Sequence, residues 1–337
     1  MSAYQPPFSI TPAIIRQISN ISEKLGYLAA VSEKQLDLRL RRINRIRTIQ
    51  GSLAIEGNTL SEEQITAIIE GKRVIAPPKE VQEARNAIKA YELFESWQPE
   101  SETDLLKAHE TLMAGLIDDA GYYRAGNVGV MKGEQVVHMA PPSNRVKNLM
   151  ADLLSWLPST DHHPLIVSSV FHYEFEFIHP FSDGNGRMGR LWQTLILSQW
   201  NPLLAQLPVE SMVYAQQDEY YQAINRSTQA TDSAPFIEFM LNNILAAIED
   251  NLTGSEDLFS QVSPQVTPQV TPQVELLLKV LKDSAQPLNR EELQTLLGLK
   301  DRKSFRERYL KPALDANLIE MTIPDKPNSR LQKYRLK

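Results

Sequence analysis

Apolar residues recur every three or four positions through most of the chain, which predicts a mainly helical protein. Thr11-Pro12 opens the first pattern, Thr as N-cap and Pro as first helical residue, and Ile14, Ile15, Ile18, Ile21 and Leu25 follow it. A second helix is predicted over about residues 33–56, with Leu36, Leu40, Ile43, Ile46 and Ile49 on its apolar face. Ser61-Glu62-Glu63-Gln64 is a capping box for a short helix ending at Gly71. After the break at Ala76-Pro77-Pro78, helices are expected at about 80–96, 102–115 and 143–157. Two long apolar runs, 165–178 and 191–200, flank a polar turn, and helices at about 210–229 and 234–250 complete the series.

Two stretches break this rhythm. Between residues 121 and 142, Gly121, Gly126, Gly129 and Gly133 interrupt any helix, while Val128, Val130, Val136 and Val137 favour extended chain. Lys132-Gly133-Glu134 is the turn of a hairpin there. Further on stand three tandem tetrapeptides, Ser263-Pro264-Gln265-Val266, Thr267-Pro268-Gln269-Val270 and Thr271-Pro272-Gln273-Val274. Proline at every fourth position excludes regular structure, so residues 256–273 are an extended linker, the last copy able to cap the next helix. Beyond it, helical patterns at about 274–283, 289–297 and 302–316 precede two strand-like segments, 318–323 and 331–336. Three helices and a hairpin is the winged-helix order. The expected organisation is therefore N-terminal helices over 1–115, a core over 116–255, the linker, and a small winged-helix domain over 274–337.

Composition narrows this picture only a little. The 337 residues suffice for about two domains, and 42% hydrophobic with 23% charged residues is ordinary for a soluble globular chain. With no cysteine, disulfides and thiolate chemistry are excluded, which fits a cytoplasmic location. No secretory leader and no apolar run of membrane-spanning length is present, so no membrane partner is expected. The net charge of −6 is unevenly spread: residues 274–337 carry 14 Lys or Arg against 9 Asp or Glu. Arg302, Lys303, Arg306, Arg308 and Lys311 make the third helix of that domain a candidate DNA-recognition helix, and a protein partner is the alternative. Arg39, Arg41, Arg42, Arg45 and Arg47 on the second helix read as a solvated basic face opposite its apolar one.

The chemistry is concentrated in the polar turn, His179-Pro180-Phe181-Ser182-Asp183-Gly184-Asn185-Gly186-Arg187-Met188-Gly189-Arg190. Pro180 ends the first helix at His179, and the second begins near Gly186. A glycine-rich turn leading into a helix N-terminus presents free amides and a positive dipole end, an anion site. Arg187 and Arg190, three positions apart, aim two more cations at the same point. His179 suits a general base toward a hydroxyl, and Asp183 suits a Mg²⁺ ligand working together with substrate phosphate oxygens. His172, Glu176 and His179 lie on neighbouring faces of one helix, but no zinc-binding His-Glu-x-x-His pattern exists, and His109 reads as a packed or surface histidine.

That stretch resembles the signature of the Fic family of AMP transferases, His-Pro-Phe-x-Asp/Glu-Gly-Asn-Gly-Arg-x-x-Arg, at every fixed position. The resemblance implies a helical Fic fold and transfer of AMP from ATP, with Mg²⁺, to a Tyr, Thr or Ser hydroxyl of a target protein or of the chain itself. It implies that His179 deprotonates the hydroxyl, Asp183 holds the metal, and Gly184, Asn185 and Gly186 form the anion hole. Arg187 would grip the outer phosphates, and Met188, Gly189 and Arg190 complete the nucleotide site. Gly121-Tyr122-Tyr123-Arg124 and the hairpin after it resemble the family flap. By that resemblance Val128, Gly129, Val130 and Met131 lie along the nucleotide, and the hairpin edge can hold a target segment by strand addition. Tyr220 and Tyr221 match an adenosine-contacting pair, although the family's later Asn falls on Thr228 or Gln229, with Asn225 a turn early.

Ser52-Leu53-Ala54-Ile55-Glu56-Gly57 is similar to the family's inhibitory motif, in which the Glu pairs with the second motif arginine, here Arg190. This implies autoinhibition in cis through Ser52, Glu56 and Gly57. Three alternatives stay open: removal of AMP, transfer of another phosphate-bearing group, and a DNA-binding regulator whose core only senses nucleotide. A homodimer is also open.

Overall fold

The computed structural model describes residues 4–35, 38–132, 135–262, 272–284, 286–299, 301, 305–315, 318–323, 329 and 332–336. The chain forms two compact units, Met1–Leu252 and Thr253–Lys337. In the first, one hydrophobic core runs from Ile14 to Ile248, so the N-terminal helices and the motif helices share a single interior.

Helix α1, Pro12–Gln35, begins as the Thr-Pro pair predicts, with the Thr11 hydroxyl accepting from the Ile14 amide at 3.2 Å. Ile14, Ile21 and Leu25 are buried, whereas Ile15, one position round the helix, is 60% exposed. Helix α1 extends past the expected boundary, and α2 is Leu38–Ile55 rather than a helix starting near residue 33. No proline or glycine interrupts the chain there, and the helical pattern simply continues. The short α3, Glu62–Ile69, carries both hydrogen bonds of the Ser61/Gln64 capping box. Helices α4, Pro78–Leu93, and α5, Glu102–Met113, precede the hairpin, whose strands β1, Gly129–Lys132, and β2, Gln135–Met139, pair antiparallel. The register shifts between Val130 and Met131, and the predicted turn residues Gly133 and Glu134 lie outside the described residues.

Helix α6, Ser143–Trp156, is followed by the central pair, α7, Pro164–Ile178, and α8, Asn185–Trp200. Twelve of the residues of α7 and twelve of α8 are buried; in α8 the buried set includes the polar Asn185, Arg187, Arg190, Gln193 and Thr194. The single helix expected over 210–229 is two, α9, Val209–Ala215, and α10, Gln217–Ala230, broken at Gln216, where the backbone leaves the helical region. Helix α11, Ala234–Val262, runs well past residue 250, since the next proline is Pro264. Among the described residues no helix is long and apolar enough to cross a membrane.

In the second unit, α12, Pro272–Asp283, starts on the last proline of the repeats. Of the linker expected over 256–273, residues 263–271 lie outside the described residues, whereas 256–262 belong to α11 and 272–273 to α12, so both ends of that range are helical where the pattern predicts extended chain. Helix α13, Arg290–Leu296, is capped by Asn289 with its own capping box. The predicted third helix is a π-helical turn, Arg306–Leu310, leading into α14, Lys311–Asp315; residues 302–304 lie outside the description. A short strand β3, Leu288–Asn289, pairs with β5, Lys333–Leu336, which also pairs with β4, Ile319–Met321. Two residues of β3 are too few to show a period of two, so the pattern along the chain missed this strand. Tyr334, fully buried, anchors this sheet to a separate small core with Leu277, Leu293 and Phe305.

One contact fixes where α2 sits. A Cβ on Gly51 would lie 2.6 Å from the Ser211 amide nitrogen and 2.7 Å from the Glu210 carbonyl carbon. Both are backbone atoms of α9 that cannot swing away, so glycine lets the two helices touch. An alanine in mid-helix normally stabilises by about 1 kcal/mol over glycine. Here Gly51→Ala should instead destabilise, by about 1–3 kcal/mol of overpacking. Urea unfolding followed by tryptophan fluorescence checks this, since Trp97, Trp156, Trp192 and Trp200 all lie in the first unit.

Candidate active site

The turn between α7 and α8 is held by several neighbours that do not belong to it. His179 caps α7 in the left-handed region, φ 51° and ψ 61°, with its amide on the Phe175 carbonyl at 2.9 Å. A non-glycine residue there is strained and must be over-determined by its surroundings. Arg124 supplies the constraint. It is 3% exposed and donates to the carbonyls of His179 (2.7 Å), Gly126 (2.8 Å), Pro141 (2.6 Å) and Ile178 (3.3 Å). One guanidinium thus ties the end of α7 to both ends of the hairpin segment. Burial pulls its pKa down, but it faces the carbonyl end of a helix, which favours a cation.

Beneath the turn, Phe181 is fully buried and stacks on His109, ring centroids 3.6 Å apart. The Gly121 amide donates to His109 Nδ1 at 2.9 Å, so Nε2 carries the proton and donates to the Asp183 carbonyl at 3.0 Å. Burial lowers the His109 pKa to about 4, and the ring is neutral. The sequence marked His109 only as a packed or surface residue. Its grip on the Asp183 carbonyl depends on residues 74 positions apart meeting in space. Asn185 clips the turn internally, its side chain donating to the Phe181 carbonyl and accepting from the Phe181 amide, both at 2.9 Å. Gly184 adopts φ 82° against the Met113 sulfur, where a side chain would collide.

Above the turn a buried arginine meets a solvent-reaching carboxylate. Arg190, 2% exposed, donates from Nη2 to Glu56 Oε1 at 2.7 Å and to the Ser52 carbonyl at 2.9 Å, and from Nε to Ser52 Oγ at 3.2 Å. Burial opposes its charge, yet the Glu56 carboxylate, with Tyr220 and Glu176 adding to it, raises its pKa. Glu56 is positioned by the way α2 ends. Gly57 takes φ 89°, its amide bonds the Ala54 carbonyl and the Asn58 amide bonds the Leu53 carbonyl, a Schellman closure. Gln217 of α10 donates to the Ile55 carbonyl at 2.6 Å. Glu56 Oε1 lies where a Cβ of Gly186 would stand, with Arg190 Nη1 3.0 Å from that same point. A carboxylate therefore rests on the first turn of α8, the place where helix amides and motif arginine converge.

Arg187, 6% exposed, reaches Asp183 Oδ1 at 3.3 Å and Glu83 Oε1 of α4 at 3.5 Å. The Asp183 side chain is half exposed and also accepts from the Gly184 amide at 2.6 Å. Of the predicted nucleotide contacts, Met188 and Gly189 are buried in α8, with Gly189 pressed against His172 and Glu176. Val128 precedes β1, and Gly129, Val130 and Met131 form it. Tyr220 is 2% exposed, its hydroxyl donating to His172 Nε2 at 3.1 Å within an aromatic cluster with Phe236 and Phe239; Tyr221 is only half-buried. Thr228, one of the two residues on which the family's Asn could fall, bonds the Tyr173 hydroxyl at 3.1 Å. His172 is fully buried and neutral, its pKa lowered to about 3 by burial, and among the described residues no cluster of three His, Asp or Glu could hold a metal unaided. On the basic face of α2, Arg42 pairs with Glu70 and Arg47 with Asp250, while Arg41 and Arg45 are exposed.

Residues 99–197 match the Fic/DOC family, and residues 272–337 match the C-terminal domain of Fic-like proteins, filamentation induced by cAMP. A crystal structure of a Fic family protein from Desulfovibrio desulfuricans G20 is 51% identical, covers 99% of this chain and 98% of its own, and superposes with a TM-score of 0.74. The chain belongs to the Fic family. Among curated relatives, "Protein adenylyltransferase Fic" of Nematostella vectensis is 28% identical over 237 residues, 66% of this chain and 52% of that one. "Protein adenylyltransferase fic-1" of Caenorhabditis briggsae is 30% identical over 226 residues, 63% of this chain and 42% of that one. The chain thus spans about half the length of these relatives.

Glu176 adds a pH signature to this Fic site. Its side chain is 12% exposed, and burial, with the Glu56 charge adding to it against Arg190, raises its pKa to about 8. A folded-state pKa above the unfolded value near 4.5 means the folded chain binds the extra proton. This carboxyl's contribution is fully present below pH 4.5 and is lost as pH rises toward 8. Glu176→Gln, which mimics the protonated acid, should match the native chain at pH 5 and be more stable at pH 8. Urea unfolding at the two pH values measures it.

Proposed function

We propose that this Fic protein transfers AMP from ATP to a Tyr, Thr or Ser hydroxyl of a protein, itself included, and that Glu56 restrains it in cis. One observation carries the reading: the Glu56 carboxylate already occupies the first turn of α8 and holds Arg190. A negatively charged oxygen in that place is what the γ-phosphate of ATP would supply, so brake and phosphate compete for one guanidinium. The relatives named as protein adenylyltransferases support the same chemistry.

In the proposed reaction His179, held at the mouth of the turn by Arg124, takes the proton of the incoming hydroxyl. The hydroxyl oxygen forms a bond to the α-phosphorus, the bond from that phosphorus to the bridging oxygen breaks, and pyrophosphate leaves. The first amides of α8 with Arg187 and Arg190 hold the phosphates and meet charge growing on the leaving group. Asp183, a half-exposed carboxylate beside the amides, fits a single protein ligand to Mg²⁺, the remainder being phosphate oxygens and water. When bound, Mg²⁺ would neutralise phosphate charge. With Glu56 docked, Arg190 is spoken for, and ATP would lie with its α-phosphate misaligned. Tyr221, the less buried of the tyrosine pair, is the side chain to meet adenine. The β1–β2 hairpin is a two-stranded sheet, and its outer edge suits an extended target segment added as a further strand.

Incubation with α-labelled ATP and Mg²⁺ tests this. Glu56→Gly should raise self-labelling at least about tenfold, and adding His179→Ala should cut it by about 10²–10⁴. Equal labelling of the native and Glu56→Gly chains removes the brake. Labelling that survives His179→Ala removes the base. Intact-mass analysis distinguishes AMP from another phosphate-bearing group.

A further inference from the structure

The first motif arginine, Arg187, is also engaged by a carboxylate from the N-terminal helices. Glu83 of α4, with a side chain 13% exposed, splits its two oxygens between two partners. Oε1 lies 3.5 Å from Arg187 Nη1, and Oε2 accepts from Asn58 Nδ2 at 2.8 Å. Asn58 stands two positions after Glu56 and is fully committed. Its Nδ2 also reaches the Glu80 carbonyl at 3.2 Å, and its Oδ1 accepts from the Leu60 amide at 3.0 Å. The chain that leaves the brake is therefore pinned to the helix that holds Arg187.

The geometry points to Glu83 as a positioning residue that anchors Arg187 by one end of its fork and couples that anchor to the brake turn. A guanidinium has five donors in a rigid plane, so holding one end aims the others. With Nη1 on Glu83, the remaining contact is Nη2 with Asp183 at 3.3 Å, while Nε is buried and without a hydrogen bond among the described residues. When Asp183 turns to a cation, Nη2 becomes available to a phosphate without any change at Glu83. Removing the Glu83 charge would leave the guanidinium free to collapse onto Asp183, the ligand it should release. Neighbouring Glu80 provides the comparison. It binds the Thr59 amide and hydroxyl, both at 2.7 Å, and touches neither motif arginine.

This inference rests on the nucleotide site proposed above, so its test has two arms. In the Glu56→Gly chain, Glu83→Gln should raise KM for ATP about tenfold with kcat changed less than about twofold, and Glu80→Gln should alter neither. A KM unchanged by Glu83→Gln, or raised equally by Glu80→Gln, overturns the role. In the native chain without nucleotide, Glu83→Gln and Arg187→Ala should each speed hydrogen exchange at the Leu60 amide, with Trp-fluorescence melting showing the fold intact. Unchanged exchange in Arg187→Ala overturns the coupling. If the Glu56→Gly chain neither binds nor uses ATP, the proposed function fails, and the exchange arm still decides the link.

Discussion

The site depends on what satisfies the positive end of α8. A helix start with free amides, a dipole and two nearly buried arginines cannot be left without an anion, because an uncompensated buried charge costs several kcal/mol. In this structure the anions are side chains: Glu56 on Arg190, Glu83 and Asp183 on Arg187. Two of the three come from helices that precede the family motif in the chain. The N-terminal helices are thus part of the electrostatics of the site as well as its packing, which agrees with one core running from Ile14 to Ile248.

The same constraint explains the precision of the surrounding scaffold. The Glu56 carboxylate reaches the first turn of α8 only because α2 ends where it does. Gly51 sets how closely α2 approaches α9, the Gly57 turn closes α2, and Gln217 holds its last carbonyl. On the other side, His109 and Arg124 fix the turn without touching any predicted reacting atom. Both work on backbone carbonyls: His109 on Asp183, Arg124 on Ile178 and His179. That is an economical way to hold a left-handed histidine, since carbonyl partners remain when side chains turn to a ligand.

Buried ionisable groups beside the pair carry the cost. Glu176, His172 and Tyr220 sit against Arg190 and α8 in a region where burial suppresses charge on each of them. Arg190 keeps its charge there because the Glu56 carboxylate lies against it.

Much of this was legible in the sequence because it is local. The turn between two apolar runs, the proline that ends α7, the capping box at Ser61, the glycine at the end of α2 and the hairpin of glycines and valines each depend on residues a few positions apart. The Ser52/Glu56 spacing marked nothing by itself; its likeness to the family's inhibitory motif was what implied a partner for Arg190. Boundaries were less legible where no breaker stands: α1 ran on to Gln35, α11 to Val262, and residues 210–229 split at Gln216. What only the tertiary structure decided is which distant residues meet. Glu83 on Arg187, His109 under Asp183 and Arg124 across the mouth of the turn are separated along the chain by 104, 74 and 55 positions. No spacing rule reaches across such gaps; ion pairs and hydrogen bonds are set by distance and angle in space, and those exist only once the core has closed.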